Sequence, residues 1–485
     1  MLKLFNTLSK KLEEFKPQTE GAVNMYVCGP TVYDKAHLGH ARCYITWDVL
    51  YRYLKFSGYN VTYCRNVTDV DDKILKKADA AGVLPEVITK EFYQSFKNSL
   101  KGLNALNPDV EPFATKTIGE MIAMVKKLIE NGYAYEADGD VYFEVGKYRS
   151  YGALSGQPID DLMAGARVEN DPKKRSPLDF ALWKKDEKHG YKSPWGLGRP
   201  GWHIECSAMS KKYLGETIDI HAGGADLQFP HHENERAQSE CANGCTFVKY
   251  WLHNGFVTIN KEKMSKSLGN FLTIDDVLKR YNSNAIRFFI LTNHYRMPVE
   301  FNDEALESAK NGAKRLINSV KSFIEADFEG FKPDEEAQNA FKEAMDDDLN
   351  TSKALAVLFS LVDRLKKAVP DGVLDVKSIE NADEAKKLAY TIITLGSVLG
   401  FDFTLQDKQE LNDEDLKALI LPLYDEFGFE KSMEPKALLD KLLEDRKEAR
   451  ANKDWAKSDL IRDKLLAAGI LVKDSKDGSV WEVKS

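Results

Sequence analysis

A doubly wound, Rossmann-type α/β domain on a parallel sheet is the fold class that the N-terminal part of this sequence predicts. It carries an insertion, and an α-helical domain and a small α+β unit follow it. Three observations support this. Asn24-Met25-Tyr26-Val27-Cys28 is a short apolar run that Gly29-Pro30-Thr31 terminates, as a buried strand would be. Ala41 to Phe56 places Ile45, Val49, Leu50, Tyr53 and Leu54 at helical spacing. Asn60 to Val67 then reads as a second strand, and Asp72 to Ala80 as the next helix. A strand–helix–strand rhythm implies a right-handed parallel crossover, whose ligands sit at the carboxyl ends of the strands. Cys28, Gly29, Thr68 and His37-Leu38-Gly39-His40 all fall at those ends.

The remaining elements follow in chain order. Residues 1–110 form the first half of the α/β domain. From 111 to 199 the texture changes. A helix, Lys116 to Asn131, gives way to short alternating segments such as Asp140 to Val145, then to the polar stretch Pro172 to Pro200. This is the pattern of an insertion. The second half, 200–250, resumes with Gly201 to Cys206 and Thr217 to His221. A connecting region, 251–302, carries Lys263-Met264-Ser265-Lys266-Ser267. Over 303–405, Ala305 to Glu325, Lys353 to Ala368 and Asn381 to Leu399 are expected helices of a bundle. Asp and Glu are dense from Asp334 to Asp348. The last unit, 406–485, holds one or two helices over Lys436 to Ala468 and a terminal hairpin around Asp477-Gly478.

Bulk composition narrows the function classes. The chain has 485 residues, too many for one ordinary core. Charged residues make up 30% and hydrophobic residues 43%, which excludes fibrous and disordered classes. A net charge of −8 does not announce a nucleic-acid partner, so any such surface is a local patch. No stretch is apolar enough to span a bilayer, and Lys10, Lys11, Glu13 and Glu14 interrupt the N-terminus, so a cytoplasmic protein is expected. The six cysteines are then metal ligands, reactive thiols or small buried residues rather than disulfides.

Two short signatures carry the chemistry. His37 and His40 are three apart at the start of a helix, beside backbone N–H groups and the positive end of the helix dipole. Imidazoles there can stabilise charge developing on a phosphate. Lys263 and Lys266 lie on a loop after Phe256 to Ile259, where mobile cations suit a departing pyrophosphate. Taken singly, the plainer readings are a capping and a core histidine, and a solvated polar loop. Both together, in this order, point to nucleotide chemistry without a P-loop lysine motif.

These signatures resemble those of class I aminoacyl-tRNA synthetases. Four stretches more specifically resemble cysteinyl-tRNA synthetases: Cys28 to Asp34, Asn66 to Lys73, Gly201 to Met209, and His221 to Glu235. The likeness covers essentially the whole chain. Leu38 stands where many class I enzymes carry Ile, a volume-conserving change. The resemblance implies an enzyme that activates cysteine with ATP and Mg²⁺ to an adenylate and passes it to the 3′ end of tRNA(Cys). It implies one zinc per chain, held by Cys28, Cys206, His231 and Glu235, that selects the thiol. Spacing alone leaves other sets open, since His232 with Glu235, His203 with Cys206, and Cys241 with Cys245 also have helical spacing. Carried over in the same way, Gly29, Thr68, Trp202 and His203 line the cysteine pocket, with His221 and His232 in its wall. His37, His40, Gly223, Asp226 and Lys266 bind ATP, and Lys263 assists Lys266. The same likeness implies a monomer.

A site that demands a zinc–thiolate bond rejects serine outright, so the insertion is expected not to edit. Arg446, Arg450, Lys453 and Lys457, at spacings of four, three and four, suggest a cationic stripe on one helix face near Trp455 and Trp481. Salt bridges on a solvated helix are the plainer reading; resemblance to an anticodon-binding region favours RNA. The nearest rival is a zinc-dependent ligase joining cysteine to an amino sugar, which would lack that C-terminal region; the others are a binding protein that has kept the fold and lost catalysis, and a purely structural zinc.

Overall fold

The computed structural model describes residues 1–157, 171–259, 262–263, 272–369, 382–405, 413–475 and 478–483. They fall into two units, Met1–Thr404 and Leu405–Ser485. No helix among them is long and apolar enough to cross a membrane.

At the centre of the first unit is a four-stranded parallel sheet. Its order is Val248–Asn254, Ile218–Gly224, Ala22–Val27 and Asn60–Arg65. Two-residue alternation sorts the side chains of Ala22–Val27. Val23, Met25 and Val27 pack on the side of helix Leu38–Phe56, whereas Tyr26 and the following Cys28 join the core on the opposite face. That second face is covered by helices Ile118–Glu130, Trp202–Leu214 and Glu233–Asn243. Cys28 therefore points toward the elements that bear Cys206, His231 and Glu235.

Helix Leu38–Phe56 starts three residues earlier than the apolar spacing implied. His37 is its N-cap, and His37 N donates to His40 Nδ1 at 3.1 Å. Arg42 anchors this helix from within. It is fully buried and donates to the carbonyls of Gly255, Ile290, His294, Tyr295 and Met297. Burial lowers its pKa only to about 10, so the guanidinium stays charged, solvated by carbonyl dipoles.

The insertion is a five-stranded sheet ordered Ala134–Ala137, Asp140–Phe143, Phe180–Lys185, Gly196–Pro200 and Tyr191–Ser193. Its preceding helix, Ile118–Glu130, shares a core with Trp202–Leu214 and Glu233–Asn243. After the parallel sheet, Val257–Ile259 pairs with Glu262–Lys263 and, in parallel, with Val299–Phe301. Helices Asp303–Ser319, Thr351–Ala368 and Ala382–Val398 lie near their expected ranges. The acidic stretch adds one not read from sequence, Glu335–Asp346, capped by Asp334 through Ala337 N.

In the second unit, helices Asp413–Glu426, Pro435–Ala451 and Trp455–Ala467 precede an antiparallel hairpin, Ile470–Ser475 with Gly478–Val483. This overturns the single cationic stripe. The first of the two basic helices ends at Ala451, Lys453 takes a left-handed φ of 59°, and Asp454 caps the next, so the four cations do not share one helix. Arg446 is buried, and its Nη1 donates to Ser479 of the hairpin at 3.2 Å. Arg450, Lys453, Trp455 and Lys457 are exposed.

Candidate metal and amino-acid site

Four side chains, each from a different element, converge where strand Ala22–Val27 ends. Cys28 follows the strand; Cys206 lies in the second turn of helix Trp202–Leu214. His231 lies in the irregular turn Gln228–His232, and Glu235 lies in the first turn of Glu233–Asn243. All four are buried. Cys28 Sγ lies 3.9 Å from Cys206 Sγ and 3.4 Å from Glu235 Oε1. His231 Nε2 is 3.6 Å from Cys206 Sγ and 3.0 Å from Glu235 Oε1.

These separations fit the donor edges of one tetrahedral zinc. Zinc–ligand lengths of 2.0–2.3 Å imply edges of about 3.8 Å between sulfurs, about 3.6 Å from sulfur to nitrogen or oxygen, and about 3.4 Å from nitrogen to oxygen. A second grouping among the described residues, Cys28, His221, His232 and Glu235, shares two members but offers one thiol instead of two. Its histidines fit better as outer partners. His221 Nε2 lies 2.8 Å from the other oxygen of Glu235. His203 Nδ1 lies 2.8 Å from His231 Nδ1, the nitrogen facing away from the cluster. Outer contacts of this kind fix ring orientation and carboxylate geometry.

The electrostatics suit a cation. Burial pushes the Cys206 thiol up, but hydrogen bonds from Cys28 and His231 outweigh it and hold the group at about 6. Burial pulls His231 down, yet Glu235 and Cys206 raise it to about 10. Glu235 resists burial because His221 and His231 hold its carboxyl well below the usual range. Burial, with the neighbouring thiol and carboxylate, raises Cys28 well above its usual value. Protons here occupy positions that a divalent ion would take.

Beside the cluster lie further polar contacts. Gly29 N donates to Asn66 Oδ1 at 2.7 Å, and a Cβ at Gly29 would stand 1.5 Å from the Asn66 carbonyl oxygen. Thr68 Oγ1 donates to Glu205 Oε2 at 2.7 Å. Trp202, 39% exposed, stacks on His231 with ring centroids 4.1 Å apart. His232 Nε2 lies 3.3 Å from Cys28 Sγ, and His232 Nδ1 lies 2.8 Å from His253 Nε2.

The structure thus brings together Cys28, Gly29, Thr68, Trp202, His203, Cys206, His221, His231, His232 and Glu235. Asn66, Glu205 and His253 were missed. Asn66 opened the Asn66-Val67-Thr68-Asp69 signature and Glu205 precedes a proposed ligand, so both sat in view; only the fold shows their contacts. A Cβ at Gly223 would meet His232 Cε1 at 2.8 Å. Asp226 lies beside Gly224, whose Cβ would stand 2.5 Å from Asp226 Oδ1.

Backbone bonds join the start of helix Leu38–Phe56 to residues 272–274. Leu38 N donates to Leu272 O at 3.0 Å, Ile274 N donates to Ala36 O at 2.9 Å, and His37 bridges Thr273. Lys263 pairs with Thr258 in the short sheet. Met264, Ser265, Lys266 and Ser267 lie outside the described residues.

Comparisons with known proteins agree with this architecture. Residues 14–311 match the family described as tRNA synthetases class I (C) catalytic domain. Residues 340–404 match the DALR domain, and 436–481 the cysteinyl-tRNA ligase anticodon binding domain. The cysteine–tRNA ligase of Geobacter sulfurreducens is 47% identical over 497 residues, covering 100% of each chain. That of Chromobacterium violaceum is 47% identical over 492 residues, covering 99% of each. The structure of Mycobacterium tuberculosis methionyl-tRNA synthetase in complex with methionyl-adenylate superposes with a TM-score of 0.56 at 16% identity, covering 87% of this chain and 94% of the other. That likeness is one of fold.

Proposed function

The chain belongs to the cysteine–tRNA ligase family, and from that premise we infer how its residues divide the work. It is a class I aminoacyl-tRNA ligase, acting with cysteine, ATP and tRNA, and its anticodon-binding domain sets it apart from a ligase for amino sugars.

Cys28, Cys206, His231 and Glu235 would hold a zinc ion. When bound, it would supply a soft Lewis acid that favours a thiol over a serine hydroxyl. The observation that carries this assignment is the match of four donor separations to the edges of one zinc tetrahedron. Gly29, Thr68, Trp202 and His203 orient the amino acid. His37 and His40 neutralise charge developing on the α-phosphate as the cysteine carboxylate attacks it and pyrophosphate leaves. Lys263 and Lys266 receive the pyrophosphate with Mg²⁺, and Asp226 accepts hydrogen bonds from the ribose. The cysteinyl group then passes to the terminal ribose of tRNA(Cys). The protein acts in the cytoplasm as a monomer.

ATP–pyrophosphate exchange with cysteine and with serine, before and after zinc removal, tests this reading. Exchange that needs both cysteine and zinc is expected. Exchange with serine, or unimpaired exchange after chelation, would overturn the thiol–metal basis of selection.

A further inference from the structure

Glu205 is buried and has no place in the zinc tetrahedron, yet it closes a ring of contacts around the site. Its Oε2 accepts the hydroxyl hydrogen of Thr68 at 2.7 Å. Asn66 Nδ2 donates to the same Thr68 oxygen at 3.3 Å. The carbonyl of that amide accepts from Gly29 N at 2.7 Å and lies 3.7 Å from Cys206 Sγ. Gly29 adjoins Cys28, and Glu205 adjoins Cys206. The ring therefore joins both cysteines through two strand ends and one helix.

A hydroxyl has one hydrogen and two lone pairs. With its hydrogen given to Glu205 and one lone pair taken by Asn66, Thr68 keeps a single acceptor position. An acceptor suits a donor-only group, and the α-ammonium of an amino acid is such a group.

We propose that Glu205 is a positioning residue for amino-acid selection: it fixes the Thr68 hydroxyl as a hydrogen-bond acceptor for the substrate ammonium. This rests on the cysteine pocket assigned above. Glu205 acts through Thr68 and carries no direct contact with substrate. What matters is its capacity to accept one hydrogen bond.

The test is a mutant cycle on the zinc-loaded full-length protein, read by ATP–pyrophosphate exchange with kcat and KM for cysteine separated. Thermal melts and zinc stoichiometry are followed in parallel. Glu205→Met, which fills the volume, is expected to raise KM for cysteine about tenfold or more, with kcat and bound zinc little changed. Thr68→Val is expected to do the same, and the double variant to be no worse than Thr68→Val alone. Glu205→Gln keeps an acceptor and should restore KM to within about threefold of wild type. Additive effects, or a Glu205→Gln as impaired as Glu205→Met, would overturn the proposal in favour of a direct charge on the substrate. A lowered melting temperature with unchanged KM, or failure of Glu205→Met to fold, would assign the residue to the core and overturn it as well. Absence of zinc- and cysteine-dependent exchange in the wild-type protein would instead sink the underlying pocket assignment.

Discussion

At the scale of single residues, the zinc cluster makes its own proton balance a prediction. Binding must remove the proton that Glu235 and Cys206 retain on His231 at about 10, and the proton that burial keeps on Cys28. Zinc affinity should therefore rise with pH, by up to about tenfold per unit for each proton released. Competition with a chromophoric chelator from pH 6 to 8 would measure it, and a flat profile would argue that the four groups do not ligate together. His203→Ala should cost about 10- to 100-fold in zinc affinity by freeing the outer nitrogen of His231. Much of this cluster was legible as residue types at strand and helix ends, though the choice of Cys28, Cys206, His231 and Glu235 came from resemblance. Spacing could not separate His231 from His232, because neighbours in a turn differ only in where the fold aims them. The same limit hid Asn66 and Glu205, whose importance lies in contacts across 37 and 137 positions of sequence.

At the scale of elements, periodicity located the strands and helices well where one face is buried and the other is not. It failed at the acidic helix Glu335–Asp346, where charge density masked the buried Ala337, Phe341 and Met345. The cationic-stripe reading ran across the break between the two basic helices, because cations at helical spacing hid the left-handed turn at Lys453 and the Asp454 cap. Packing between elements depends on a few polar side chains. Glu111, partly buried, is one: it accepts from Arg65 Nη2 at 2.6 Å and from the Tyr93 hydroxyl at 2.7 Å. Burial works against its ionisation, but Arg65, Tyr93 and Lys97 hold the carboxyl below its ordinary 4.5. A carboxylate with a depressed folded pKa contributes stability above its ordinary value and loses it as pH falls through the folded value. Glu111→Gln should therefore destabilise the protein by about 2 kcal/mol near neutrality, with the difference closing below about pH 4.5. Denaturant titrations at pH 7 and pH 4 would check the sign; a constant difference would mean the glutamate acts by shape alone. Arg42 makes a second element-level case. Replacing it by Met removes one donor from each of five carbonyls and should lower the melting temperature together with exchange, since helix Leu38–Phe56 carries His40.

At the scale of the whole molecule, the division of the chain separates two chemistries. Every residue assigned to amino-acid and ATP binding lies within Met1–Thr404, whereas Leu405–Ser485 contains the match to an anticodon-binding domain. The second unit has its own core, in which Leu416, Ile420, Leu439, Leu442, Ile461 and Ile470 are buried together. A unit with its own core can in principle be removed without unfolding the other. A chain ending at Thr404 should therefore keep zinc- and cysteine-dependent pyrophosphate exchange within about threefold. Charging of tRNA(Cys) should fall about 100-fold or more, which corresponds to about 3 kcal/mol of lost transition-state binding. Substituting Arg450, Lys453 and Lys457 by Ala in the full chain should weaken charging less. It should also flatten the salt dependence of tRNA binding, because phosphate contacts release counterions. If truncation abolished exchange as well, the second unit would be supporting the fold of the first, and the assignment of RNA reading and adenylation to separate units would fail. If truncation spared both reactions, recognition of the tRNA would lie within the first unit, and the exposed cations around Trp455 would be a solvated surface.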